Sequence, residues 1–276
     1  MNTIQSKSLL TLIIIFFIIG FSTSAKNFIV SPSSYYKDTI TNKSLDSASS
    51  LYLVDNPERV VYPEILEEHR DESEDYVERY SKREREYIIH MFKRGKNYFP
   101  KADAILTKYD VPQEFRVLPA LESNFKSNAV SPVGAVGYWQ FMGELAREYG
   151  LHTGGQNDER KNFTKSTVAA AKFFRDQLDF FNDDILMTVA AFNCGQGRVR
   201  SSIKKSKTKN PDYWDIKEFL PAETRRFVMK FVSLNVIAAN YDKFLKRKLD
   251  FNQPHVIQVA SLDSSQTDIS VSRNAL

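Results

Sequence analysis

The chain opens with a stretch rich in apolar side chains, thirteen residues from Leu9 to Phe21, preceded by the single cation Lys7. Small residues follow in Ser22-Thr23-Ser24-Ala25. This layout reads as an export signal over residues 1–25, with Thr-x-Ala as the cleavage site. The eighteen uncharged residues from Ser8 to Ala25 also approach the length of a spanning helix, so a retained membrane anchor is the second reading. Residues 26–60 show no helical stripe, and seven serines fall between 26 and 57, which reads as a linker. A charge-dense stretch then begins near Glu64. Its apolar positions Val77, Tyr80, Tyr87 and Met91 fit one helical stripe, ended at Pro100.

Pro112 is placed to open the next helix, Pro112 to Phe125, which breaks into the loop Ser131-Pro-Val-Gly-Ala-Val-Gly137. A short helix is predicted from Phe141 to Tyr149. The stripe Val168, Ala171, Phe174, Leu178, Phe181 is amphipathic. Ile185 to Phe192 is apolar almost all round, which predicts a buried central helix stopped at Asn193-Cys194-Gly195. A last helix, Ala222 to Phe244, presents Phe227, Phe231, Leu234, Ala238 and Tyr241. No run of alternating strands appears between residues 60 and 250. The fold class is therefore all-α, in one domain over residues 61–250. The tail 251–276 holds one short alternating piece, His255-Val-Ile-Gln-Val, that fits an edge strand or the stub of a further module.

Composition narrows the function only by exclusion. Of 276 residues, 42% are hydrophobic and 26% charged, an ordinary globular balance. With 38 basic against 34 acidic side chains, the net charge of +4 makes no case for nucleic acid. One cysteine, Cys194, excludes an internal disulfide and a Cys-rich metal site, and the four histidines show no metal-ligand spacing. No cofactor is expected, and a monomer is.

One residue breaks its own pattern. In the helix predicted from Pro112 the apolar positions are Phe115, Leu118, Leu121 and Phe125, and Glu122 shares their face. A carboxylate there is costly unless it is paired or protonated. Paired with Arg225 or Arg226 it would be a structural ion-pair partner. Left unpaired it would hold a raised pKa, the property of a general acid. A glycine-containing loop ending in Gly137-Tyr-Trp-Gln-Phe-Met142 follows closely, and its aromatic faces beside an amide are what a sugar-binding cleft needs. A carboxylic acid at the rim of such a cleft can cleave a glycosidic bond.

Leu118-Pro-Ala-Leu-Glu122-Ser-Asn-Phe, followed by Ser131-Pro-Val-Gly-Ala-Val-Gly-Tyr-Trp-Gln-Phe-Met142, resembles the signature of the lytic murein transglycosylases of glycoside hydrolase family 23. Three further blocks agree in order: Asn157-Asp-Glu-Arg160, Ala190-Ala-Phe-Asn-Cys-Gly-Gln-Gly-Arg-Val199 and Leu220-Pro-Ala-Glu-Thr-Arg-Arg-Phe-Val228. The Trp-Gln-Phe and Leu-Pro-x-Glu-Thr-Arg forms most resemble the membrane-bound D subgroup. The resemblance spans about Tyr62 to Leu249.

The resemblance implies a lysozyme-like helical domain acting on peptidoglycan glycan strands in the periplasm or cell envelope. It implies Glu122 as sole general acid and base, and a product ending in 1,6-anhydro-N-acetylmuramic acid. It implies Ser131, Gln140, Met142, Phe192, Asn193 and Glu223 as substrate-contacting residues. Phe192 departs from the family pattern, which carries tyrosine there, and Tyr138 or Tyr241 could supply the missing hydroxyl. Two alternatives stay open: a hydrolytic muramidase on the same fold, and a non-catalytic wall-binding protein.

Overall fold

The computed structural model describes residues Val60–Phe251, which fall within one compact unit. The export signal or anchor at 1–25, nearly all of the linker and nearly all of the C-terminal tail lie outside the described residues. Twelve α-helices follow in order: α1 Glu64–Glu67, α2 Arg70–Arg83, α3 Arg85–Gly95, α4 Phe99–Lys108, α5 Leu118–Ser123, α6 Gly143–Glu148, α7 Phe163–Phe180, α8 Ile185–Cys194, α9 Gln196–Ser206, α10 Tyr213–Ile216, α11 Ala222–Ala239 and α12 Tyr241–Leu245. Tight 3-10 turns cover Gln113–Val117, Glu159–Lys161 and Lys217–Phe219. The only extended pairing among the described residues is two isolated antiparallel bridges, Val130 with Val136 and Val136 with Phe141. The all-helical expectation holds.

The central helix is where its composition places it. Every residue of α8 from Ile185 to Ala191 is buried, and α7 and α11 both pack against it or its neighbours. Phe115, fully buried in the 3-10 turn before α5, ties these elements together: its ring lies 4.3 Å from Phe174 of α7 and 5.9 Å from Phe231 of α11. A buried aromatic of this kind stabilises by about 3–5 kcal/mol relative to alanine.

Four boundaries differ from the pattern reading, each for a local reason. The charge-dense stretch is two helices broken at Glu84, and the break rotates the phase of the stripe. Val77, Tyr80 and Met91 are buried as expected, but Ile88 replaces Tyr87, which is 46% exposed. Pro100 does not end that segment; it sits in the first turn of α4, where its missing N–H has no helical partner to lose. The helix expected from Pro112 to Phe125 is a 3-10 turn running into the six residues of α5. The last helix breaks at Asn240. Its side chain accepts from the Val61 N–H (2.9 Å) and donates to the Val61 carbonyl (2.6 Å), so it serves the N-terminal segment as well as α11. α9, with one buried apolar side chain, Val199, was not anticipated.

Candidate active site

The site is built around the abrupt end of α5. Glu122 is its penultimate residue, and the two residues beyond the helix, Asn124 (φ 52°) and Phe125 (φ 57°), are both left-handed. Asparagine tolerates that conformation; an aromatic side chain does so only where its surroundings hold it. Phe125 is held by Tyr98, stacked at 5.0 Å, and by the edge of Phe99 at 5.5 Å. Arg94 donates to the Asn124 carbonyl at 2.8 Å. The chain is thus turned out of the helix immediately after the acid.

The side chain of Glu122 makes no hydrogen bond and no ion pair among the described residues. Arg225, one of the partners considered from sequence, pairs instead with Glu218 at 2.9 Å. Solvent reaches part of Glu122, yet the protein packed round it keeps most water away. This burial alone pushes its carboxyl up from the ordinary range to about 8, with no contribution from a neighbouring charge. The acid is therefore protonated at neutral pH and has neither a basic partner nor a second carboxylate beside it.

The loop that follows is fastened to α5. The Ser123 hydroxyl reaches both the Pro119 carbonyl (3.0 Å) and the Tyr138 carbonyl (2.9 Å), joining helix and loop next to the acid. Gly137 (φ 83°) is required twice over, for its backbone conformation and because a Cβ would collide with the Arg160 carbonyl oxygen. Arg160 is buried and makes a bidentate pair with Asp158 (3.0 and 2.6 Å). Its remaining nitrogen donates to the Phe141 carbonyl at 3.0 Å. The guanidinium holds the Asp158 carboxyl down at about 2. Sequence reasoning quoted Arg160 in a motif without giving it this clamping role, because its partners are backbone atoms of another segment. Ser123 was missed for the same reason.

Of the residues expected to line a cleft, three lie on the fastened loop, two at the end of α8 and one at the start of α11. The loop residues are Ser131, Gln140 and Met142. The Ser131 hydroxyl accepts from the Ala135 N–H at 3.0 Å, and the Gln140 amide donates to the carbonyls of Gly137 (2.8 Å) and Ala129 (3.2 Å). Both side chains thus shape the loop, and Gln140 is itself left-handed (φ 49°). Met142 is 46% exposed, as are, more fully, Val130 and Val133, an apolar rim that the sequence did not single out. From the loop, the rings of Trp139 and Phe141 lead to Phe192 on α8, at 6.4 and 6.0 Å. From α8, Asn193 accepts from the Thr224 hydroxyl at 2.8 Å, beside exposed Glu223 in the first turn of α11.

The loop's aromatic residues are not sugar platforms. Trp139 and Phe141 are buried in the core and Tyr138 nearly so; the Trp139 indole donates to the Thr167 hydroxyl at 3.0 Å. Phe192 is half-buried against Phe173 and Phe174 (5.6 and 5.1 Å) as well as the two loop rings. Of the hydroxyls that could replace a tyrosine at 192, that of Tyr138 is 3.3 Å from the Tyr98 hydroxyl, and Tyr241 stacks on Phe92 at 5.1 Å. Among the described residues no group of three His, Cys, Asp or Glu is placed to hold a metal.

A helical frame thus presents one desolvated carboxylic acid beside a clamped loop. Residues 101–214, which contain the acid, the loop and α7 to α9, match the family model described as the transglycosylase SLT domain. The chain is 34% identical over 164 residues to the membrane-bound lytic murein transglycosylase D of Escherichia coli K12, covering 59% of this chain and 36% of that protein. It is 33% identical over 118 residues to the peptidoglycan transglycosylase gp16 of Escherichia phage T7, covering 42% of this chain and 9% of that one. Among solved structures, the 70 kDa soluble lytic transglycosylase of Escherichia coli matches with a TM-score of 0.45 and 22% identity, over 52% of this chain and 24% of that one. The chain spans about a third of the length of the transglycosylase D it matches.

Proposed function

We propose that this protein is a peptidoglycan lytic transglycosylase, cleaving the β-1,4 bond between N-acetylmuramic acid and N-acetylglucosamine, with Glu122 as its single general acid and base. The observation that carries this reading is the lone acid: burial alone holds Glu122 protonated near neutral pH. Such a group can donate its proton to the leaving glycosidic oxygen. The carboxylate so formed, destabilised by the same burial, is a base strong enough to take the proton of the sugar's 6-hydroxyl. That hydroxyl closes on C1 and gives a 1,6-anhydro end, so the substrate supplies its own nucleophile. A hydrolase of the two-carboxylate kind pairs its acid with a second carboxylate about 5–9.5 Å away, whereas burial is the one cause of the raised pKa of Glu122.

Ser131, Gln140, Met142, Phe192, Asn193 and Glu223 are assigned to the cleft on the strength of their placement and the motif match. Peptidoglycan as substrate places the protein in the cell envelope, in keeping with the export signal or anchor read at residues 1–25 and with the membrane-bound relative. No helix among the described residues is long and apolar enough to cross a membrane.

Digestion of purified sacculi followed by mass analysis of the muropeptides tests this. Anhydro ends, one water lighter than reducing ends, are expected from the wild-type chain. The Glu122→Gln variant keeps the shape and removes the transferable proton, and it should lose about 10²- to 10⁴-fold in rate. Reducing ends would show a muramidase, and no release at all by the wild type would show a wall-binding protein.

A further inference from the structure

One surface segment carries a dense run of positive charge with no acidic residue in it. Between Asp184 and Asp212 there is no acidic residue, while Arg198, Arg200, Lys204, Lys205, Lys207 and Lys209 fall within α9 and the turn after it. These six cations exceed the whole chain's net charge of +4; without them it would be −2. All six are exposed, and none forms an ion pair among the described residues; Arg200 lies over the Phe180 ring at 5.8 Å.

Other charged helices carry their cations in pairs. On α2 and α3, Arg79 pairs with Asp75, Lys82 with Glu78 and Arg85 with Glu86. The elements packed against α9 are α8, α10 and the 217–219 turn, and their carboxylates are committed elsewhere. Asp184 caps α8 and accepts from the Tyr213 N–H; Asp212 and Asp215 form a capping box on α10; Glu218 pairs with Arg225. Arg200 and Lys204, four apart on one helix, repel each other, and no carboxylate among the described residues pairs with either.

The arrangement on the helix is as specific as the charge. Val199 and Ser202 face inward and are buried. At 100° per residue, Arg198 and Lys205 form one column on the outer face and Arg200 and Lys204 another, with exposed Gly197 and Ser201 between them. The result is a smooth polar strip between two cationic rails. A helix that lies in a bilayer surface carries large apolar side chains on the face it buries, and this strip has none. α9 also starts just past Gly195, two residues beyond Asn193.

We propose that the outer face of α9 docks the acidic peptide stems of peptidoglycan, whose free carboxylates match the two cationic rails. The proposal rests on the reading of the substrate given above and extends it: the cleft takes the glycan, and α9 takes the charged peptide.

The test uses the full chain carrying Glu122→Gln, so that sacculi survive, with and without R198Q, R200Q, K204Q and K205Q together. Co-sedimentation with sacculi at low salt should weaken by roughly ten- to thirtyfold in the four-cation variant, a fraction of a kcal/mol for each charge pair lost. The difference should vanish near about 1 M salt, where screening acts within about 3 Å, and on sacculi whose stem carboxylates have been amidated. With Glu122 restored, cleavage of peptide-free glycan strands should be the same with and without the four substitutions. Equal sedimentation of the two proteins, or an equal loss on amidated sacculi, would overturn the proposal. So would a loss confined to phosphatidylglycerol vesicles, which would make the face a lipid-binding one. Should the wild-type chain bind through α9 and yet cleave no strand, the catalytic reading fails and the docking one stands.

Discussion

The bundle of α7, α8 and α11 and the segment from α5 to the end of the following loop are neighbours built on opposite terms. No residue inside α7, α8 or α11 has a positive φ, and their cores are rows of alanine, valine, leucine and phenylalanine in regular helices. Between 124 and 140, Asn124, Phe125, Gly134, Gly137 and Gln140 are all left-handed, and Glu122 stands unpaired beside them. A left-handed non-glycine residue costs on the order of 1–3 kcal/mol. The three helices therefore form an unstrained, closely packed frame. The strained segment persists because Ser123, the Gln140 amide and Arg160 over-determine it. The proposed catalytic acid sits on the strained side of that boundary.

Breaking a clamp should separate the two regions. Arg160→Met leaves Asp158 buried without its partner, for an expected loss of about 3–5 kcal/mol. Because the pair holds Asp158 at about 2, well below an ordinary aspartate, its contribution is present above pH 4 or so. It is lost as pH falls through about 2. The stability gap between wild type and variant, followed by thermal melting, should accordingly shrink in acid. At a temperature where the variant remains folded, wall cleavage should still fall, since the loop has lost its anchor at Phe141. Cleavage that tracks only the folded fraction would mean the clamp serves the frame and not the site.

Phe192→Tyr probes the seam between the regions and should have the smallest effect. Phe192 is half-buried against four rings, so part of it stays open to solvent. One restored hydrogen bond is worth about two- to tenfold in the initial rate of sacculus solubilisation, with little change in Tm. A lower Tm would show that the ring's free edge faces the aromatic cluster.

The same boundary separates what could be read from the sequence from what could not. α8 was legible because an uninterrupted apolar run has one place to go. Glu122 was legible because a carboxylate on an apolar face contradicts its own helix. Asn240 could not announce that it would end α11, since the group it serves, Val61, is 179 positions away. Trp139 beside Gln140 reads identically whether its indole N–H meets a sugar or Thr167, and here it meets Thr167. Ile88 in place of Tyr87 follows from a break at Glu84 that resets the helical phase. For Asn240 and Trp139 the deciding partner is distant in sequence, so pattern along the chain could not supply it; at Glu84 no glycine or proline marks the break.

The central claim is the protonation state of Glu122, and titration reads it directly. In full-length protein labelled with ¹³C at the glutamate side-chain carboxyl, the resonance absent from Glu122→Gln should titrate near 8. The alkaline limb of kcat/KM should fall at the same pH. A midpoint near the ordinary 4.5 would show an acid that water or an unseen cation stabilises as the carboxylate, and would contradict single-acid catalysis at neutral pH.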